Sequence, residues 1–218
     1  MAISLDKFNQ IRNELGWHTS WAVWSPVGDT PKSNVGDLSI FDDKNIESTL
    51  EKLNPDIILV GLNGSTGGSV ETAPPPRNEK FANFHSTYSR ATDFKIRYAT
   101  LGTALEGAFM TDVIKHHYET DSNKMVKTLR NDREYEKEKV REFFSEIATI
   151  SRSPTIFAFG GVAYDLIAKY NEEDFKLYRL YHYAFTMILG VWLLVAGVVR
   201  FITSFSLPDG RGASIALA

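Results

Sequence analysis

With 218 residues, 43% of them hydrophobic and 23% charged, the chain is long and apolar enough for one substantial core. A net charge of -3 excludes a uniformly basic duplex binder, so a nucleic-acid role would rest on a local basic patch. The absence of cysteine excludes disulfides, thiolate metal sites and a cysteine nucleophile.

Met1 to Lys7 lacks a basic start followed by an apolar run, so no signal peptide is expected, and a cysteine-free chain suits a cytoplasmic setting. Ser4 can cap a first helix with Leu5, Phe8, Ile11 and Leu15 as its apolar residues and Gly16 as its stop. Trp17, Trp21 and Trp24 follow within eight residues, around a short strand or edge segment, and read as core. A short helix from about Lys44 to Leu53 ends at Asn54-Pro55. The run from Pro55 to Ser65 is the most informative in the chain. Ile57 to Val60 read as a strand buried on both faces, breaking into Gly61, Asn63, Gly64 and Ser65. Ligands in open α/β sheets sit beyond the carboxyl ends of strands, so Asn63 and Ser65 stand where chemistry is placed; the alternative is an ordinary turn whose glycines give backbone freedom.

A long Gly/Pro-rich loop runs to residue 80, followed by Phe81-Ala-Asn-Phe84-His. Thr92 can cap a helix carrying Phe94, Tyr98, Leu101 and Leu105. A second buried strand spans 107–114, ending near Asp112, and the charge-rich region 115–133 reads as solvated. Asn131 and Glu134 suggest a capping box for a helix bearing Val140, Phe143, Phe144, Ile147 and Ile150. Pro154 to Phe159 form a third strand, Gly160-Gly161 turn into another helix, and 176–183 form a fourth strand. This alternation predicts an α/β fold in three layers, a central four-stranded parallel sheet with helices on both faces, over residues 1–183. Residues 184–218 are a separate, atypical apolar segment. The run 184–199 reads as a closing strand or helix of the core, a membrane tail, or a segment foreign to the fold; the second would make the protein membrane-associated.

Asn63, Ser65, Asp112, Gly160-Gly161 and His182 would converge at one rim. Asp112 could instead cap a turn, and His182 could be an ordinary satisfied histidine. His116 and His117 are adjacent and point apart on a strand, so no metal and no other cofactor is expected. The glycines lack the G-x-G-x-x-G spacing, a P-loop lysine and a G-x-S-x-G elbow, which argues against dinucleotide binding, NTP hydrolysis and serine hydrolysis.

The order of these motifs over about residues 17–183 resembles the uracil-DNA glycosylase superfamily. That family has a four-stranded parallel sheet with a Gly-x-Asn-Pro-Gly or Gly-x-Asp-Pro-Tyr motif after its first strand; Gly61-Leu62-Asn63-Gly64-Ser65 takes that place without the proline. The family's His-Pro-Ser motif ends the fourth strand, and His182-Tyr183-Ala184 matches it in the histidine alone. The resemblance implies Asn63 and His182 as catalytic residues, and Phe81 or Phe84 as the aromatic that stacks on the base. It implies Asp112, with Ser65 nearby, as reader of the base edge. Arg90, Lys95 and Arg97 would meet phosphates, or form a solvated helix face. The implied partner is DNA or a nucleobase-containing ligand, and the implied chemistry is hydrolysis of the N-glycosidic bond of a damaged base such as uracil. Two alternatives stand beside it: a non-catalytic nucleobase, nucleotide or protein binder of the same fold, and a membrane-tethered α/β protein.

Overall fold

The computed structural model of the chain describes residues 3–64, 79–87, 91–117, 119 and 121–184. Helix α1, Leu5–Glu14, is capped by Ser4, whose hydroxyl accepts from the Lys7 amide, and it buries Phe8 and Ile11. Strand β1 is Ser20–Trp21, helix α2 is Ile46–Leu50 and strand β2 is Asn54–Asn63. Helix α3, Phe94–Thr100, leads to strand β3, Ala108–Ile114. Helices α4, Ser122–Asn131, and α5, Arg133–Ile150, precede strand β4, Thr155–Phe159. Helix α6, Gly161–Lys169, and strand β5, Leu177–Leu180, complete the described elements.

The sheet has five strands rather than the expected four, in the order β1-β3-β2-β4-β5. Strands β3, β2, β4 and β5 are parallel, and β1 adds an antiparallel edge that pairs Ser20 with Met110 and Trp21 with Phe109. Two residues carry no alternation that a pattern could reveal. What holds β1 is packing: the Trp21 ring meets Phe109 edge-on at 5.1 Å, and the Ser20 hydroxyl donates to the Phe81 carbonyl at 2.7 Å.

Side-chain alternation divides the buried residues of the sheet between two clusters. Ile58, Val60, Phe109, Val113 and Ile156 join Phe8 of α1 and Val140, Phe143 and Ile147 of α5. Leu59, Met110 and Phe159 join Ile96 of α3, Leu105 and Phe84. The buried strand read from Ile57 to Val60 is thus the centre of the sheet, and Ile58, Leu59 and Val60 have no exposed surface.

Three local expectations change. Region 115–133 is not a solvated stretch: α4 is capped by the Asp121 side chain and buries Met125 and Leu129, one turn apart. The cap of α5 is Asp132, which accepts from the Tyr135 amide at 2.9 Å, because Asn131 is still the last residue of α4. Helix α3 stops at Thr100 and buries Ile96, Arg97 and Thr100, so the face expected from Phe94 and Tyr98 is rotated. Residues 185–218 lie outside the described residues. Among the described ones, no helix is long and apolar enough to cross a membrane.

Gly107 sits where the turn into β3 passes the end of α2. Its φ is +79°, and a Cβ there would overlap the Lys52 carbonyl. Gly107→Ala is expected to cost about 1–3 kcal/mol, read as a lower urea midpoint with an unchanged m-value.

Candidate functional site

The lip at the carboxyl ends of the parallel strands is set by register. Val60 pairs with Ala158, and Ala158 with Arg179. Val60 and Arg179 are therefore two strand spacings, about 10 Å, apart. Asn63 and His182 lie three residues further along their chains, Asn63 ending β2 and His182 following the end of β5. On the other side of β2, Gly61 pairs with Asp112 of β3.

Asp112 and Phe84 close over Gly61. A Cβ on Gly61 would overlap the Asp112 carboxylate and touch the Phe84 ring at 3.5 Å, so only glycine lets both lie against the strand. Asp112 is buried, and its Oδ2 accepts from Asn83 Nδ2 at 3.0 Å. The second proton of that amide goes to the His18 carbonyl at 2.7 Å. Phe81 and Phe84 both have positive φ, 66° and 63°, a conformation that costs about 1–3 kcal/mol for residues of this size. Contacts offset the strain: the Phe81 amide donates to the Gly16 carbonyl, Ser20 donates to the Phe81 carbonyl, and Asn83 ties the segment to Asp112 and to the His18 carbonyl. Sequence reading missed Asn83; its position between the two phenylalanines was the available signal.

Asn63 is half-buried at the end of β2. Its Nδ2 donates to the carbonyls of Gly64 and Glu119, both at 2.9 Å, and to that of His117 at 3.3 Å. Among the described residues it is thus the nitrogen of the carboxamide that is tied, to the loop after β3.

His182 follows β5. Its Nδ1 accepts from the Ala184 amide at 3.1 Å, which assigns the proton of the neutral ring to Nε2. The imidazole stacks on Tyr183, centroids 4.6 Å apart and planes 19° from parallel, and its Cβ lies 3.6 Å from where a Gly160 Cβ would be. The residue keeps solvent access, yet the surroundings desolvate the ring enough to hold its pKa below the ordinary histidine value. Tyr183 also meets Phe84 at 6.4 Å and Phe159 at 5.2 Å, both edge to face. Asp112 and Phe84 thus both lie against Gly61, and ring contacts run on from Phe84 through Tyr183 to His182.

Other expected site residues lie elsewhere. Phe81 is fully buried among Phe8 and Phe41, with ring centroids at 5.3 and 5.1 Å, so it belongs to the core and Phe84 alone reaches the lip. Arg97 is a buried anchor rather than a phosphate contact: it donates to the carbonyls of Ser33 and Pro31, each at 2.7 Å, and burial lowers its pKa. Lys95 is half-buried on α3 with an interaction partner of its own. Ser65 and Arg90 lie outside the described residues. A small cavity lined by Trp24, Ser25, Arg97 and Glu106 sits toward the amino ends of β2 and β3, away from the lip.

The His18 ring packs edge-on against His116 at 4.1 Å. Burial, then the charges of His116 and Lys115, lower its pKa from 6.5 to about 4. Lys115 is itself buried, 3.2 Å from Glu146, which also accepts from Thr111. The Lys115–Glu146 geometry is that of an ion pair without a well-directed hydrogen bond. Among the described residues no three acidic or histidine side chains are grouped to hold a metal. Comparison of the chain with protein-family models, curated proteins and solved structures gives no match.

Replacing Arg97 by Leu removes two part-buried hydrogen bonds that tie α3 to the 31–33 segment and is expected to cost about 1–3 kcal/mol in denaturant unfolding, with any DNA affinity and its salt dependence unchanged. His18 binds its proton less readily folded than unfolded, so stability falls as pH drops from 6.5 toward about 4. His18→Gln should flatten that segment of the stability–pH curve.

Proposed function

We propose that the protein is a nucleobase-binding member of a glycosylase-like fold, with three layers built on the parallel sheet, whose chemistry is hydrolysis of an N-glycosidic bond in DNA. One observation supports this reading: a buried carboxylate and an aromatic ring lie together against Gly61, and ring contacts join that aromatic to an imidazole whose Nδ1 is taken, leaving Nε2–H as the donor.

The parts fit the reaction's charge flow. A base held in a stacked duplex is out of reach, so it is flipped out or arrives single-stranded. Stacking on Phe84 would contribute about 1–3 kcal/mol, and Asp112 would accept from a base N–H. As the bond breaks, positive charge grows on the sugar and negative charge on the leaving base. His182 Nε2–H donates to the base oxygen that takes up this charge. The Asn63 carboxamide oxygen orients the attacking water but cannot accept its proton as a carboxylate would. The proton is then left to bulk water, and the rate is correspondingly low.

Two observations favour a second reading, a non-catalytic binder of a nucleobase or nucleotide. Asn63 is not a base, and Phe84 is only 3% exposed, so a base reaches its face only after the covering chain withdraws. The membrane-tethered alternative rests on 184–199, nearly all outside the described residues.

A base-release assay with uracil in single- and double-stranded DNA separates these readings. Release by the wild-type chain, reduced about 100-fold or more in Asn63→Ala and His182→Ala, is the expected result. No release together with retained nucleobase binding moves the assignment to the second reading.

A further inference from the structure

The sequence after the histidine departs from the motif it resembles: Tyr183 stands where a proline would be. The structure gives that tyrosine three aromatic neighbours. Its face lies 4.6 Å from the His182 ring with only 19° between planes. Its edges meet Phe84 at 63° and Phe159 at 79°. Parallel stacking fixes the plane of an imidazole, and the two edge contacts fix the tyrosine in turn. The Ala184 amide holds Nδ1 at 3.1 Å, and Gly160 has no side chain to intrude on the histidine. The imidazole is thus restrained in plane, in rotation and in tautomer by the two residues that follow it, in space that Gly160 leaves open.

We propose that Tyr183 is a positioning residue: its ring holds the His182 imidazole in the plane that aims Nε2–H across the lip, and joins that donor mechanically to the Phe84 wall. The catalytic consequence rests on the function proposed above, but the positioning does not. Tyr183 touches His182 rather than any substrate, and its hydroxyl has no part in the stacking, so the flat ring is what matters.

Among the described residues, the charged groups near His182 are Arg179 of β5, whose guanidinium lies against Gly161, and Asp112, which shares Gly61 with Phe84; Phe84 and Phe159 carry no charge. A change in His182 on altering Tyr183 therefore reports lost cover and lost orientation, with Arg179 kept constant.

The test is ¹⁵N-resolved NMR titration of the His182 ring in the full chain, comparing wild type with Tyr183→Phe, Tyr183→Leu and Tyr183→Ala. Tyr183→Phe should preserve the Nε2–H tautomer pattern and the titration midpoint. Tyr183→Leu keeps apolar bulk between Phe84 and Phe159 but removes the flat face, and guards against a collapse of the alanine variant. Leu and Ala should both move the midpoint up toward the ordinary histidine value and average the two ring-nitrogen shifts. Wild-type ring shifts and midpoint in a folded Tyr183→Leu variant overturn the proposal. So does a Tyr183→Phe variant that behaves like Tyr183→Leu, since that would assign the effect to the hydroxyl. If base release is detected, kcat should fall at least about tenfold in Tyr183→Leu with KM little changed. If no base release is found in wild type, the functional reading fails while the titration still decides the positioning.

Discussion

The pairing of β2 with parallel neighbours on both sides is the constraint on which everything at the lip depends. Ile58, Leu59 and Val60 have no exposed surface, and each face of the strand feeds a different cluster. A slip of one residue would turn each of these side chains to the opposite face, so the register is held by the whole core. That register brings the carboxyl ends of β2, β3, β4 and β5 out on one edge of the sheet, β4 and β5 two residues short of β2 and β3. Asn63, Asp112 and His182 are placed at that edge by apolar residues further down the strands that lock the alignment.

Glycine completes what register begins. Gly61 lets the Asp112 carboxylate and the Phe84 ring lie directly on β2. The loop that delivers Phe84 is strained at two phenylalanines, and it is pinned by the Asn83 amide to Asp112 and the His18 carbonyl. Strain of this kind persists only where the surroundings over-determine it. Below the lip, the buried Lys115–Glu146 pair ties the end of β3 to α5, and Glu136 of α5 accepts from Lys169 and Tyr170 at the end of α6. The helices that flank the strand ends are therefore joined to the sheet and to each other by polar contacts as well as packing.

Much of this was legible in the sequence where one principle acted alone. The apolar run of β2, the fully buried β3 and the apolar spacing of α5 announced themselves; β2 ends at Asn63, β3 runs two residues past Asp112 to Ile114, and β5 ends two residues before His182. Legibility failed where two signals competed. Phe81 and Phe84 look alike in sequence, yet a three-residue separation with positive φ at both sends one ring into the core and the other to the lip. Arg97 reads as a surface cation, and only the carbonyls of Pro31 and Ser33, more than sixty residues away, explain its burial. The charges of α4 hid its two buried residues, Met125 and Leu129. Tyr183 carries no local signal beyond its place after a histidine, because its stacking depends on three elements meeting.

The convergence of Asn63 and His182 can be measured directly, since a chain without cysteine accepts spin labels only where cysteines are introduced. With Asn63→Cys and His182→Cys labelled together, strong dipolar broadening in the continuous-wave spectrum is predicted, because Val60 and Arg179, three residues before each site, are two strand spacings, about 10 Å, apart. A doubly labelled spectrum equal to the sum of the two singly labelled ones would contradict the shared lip.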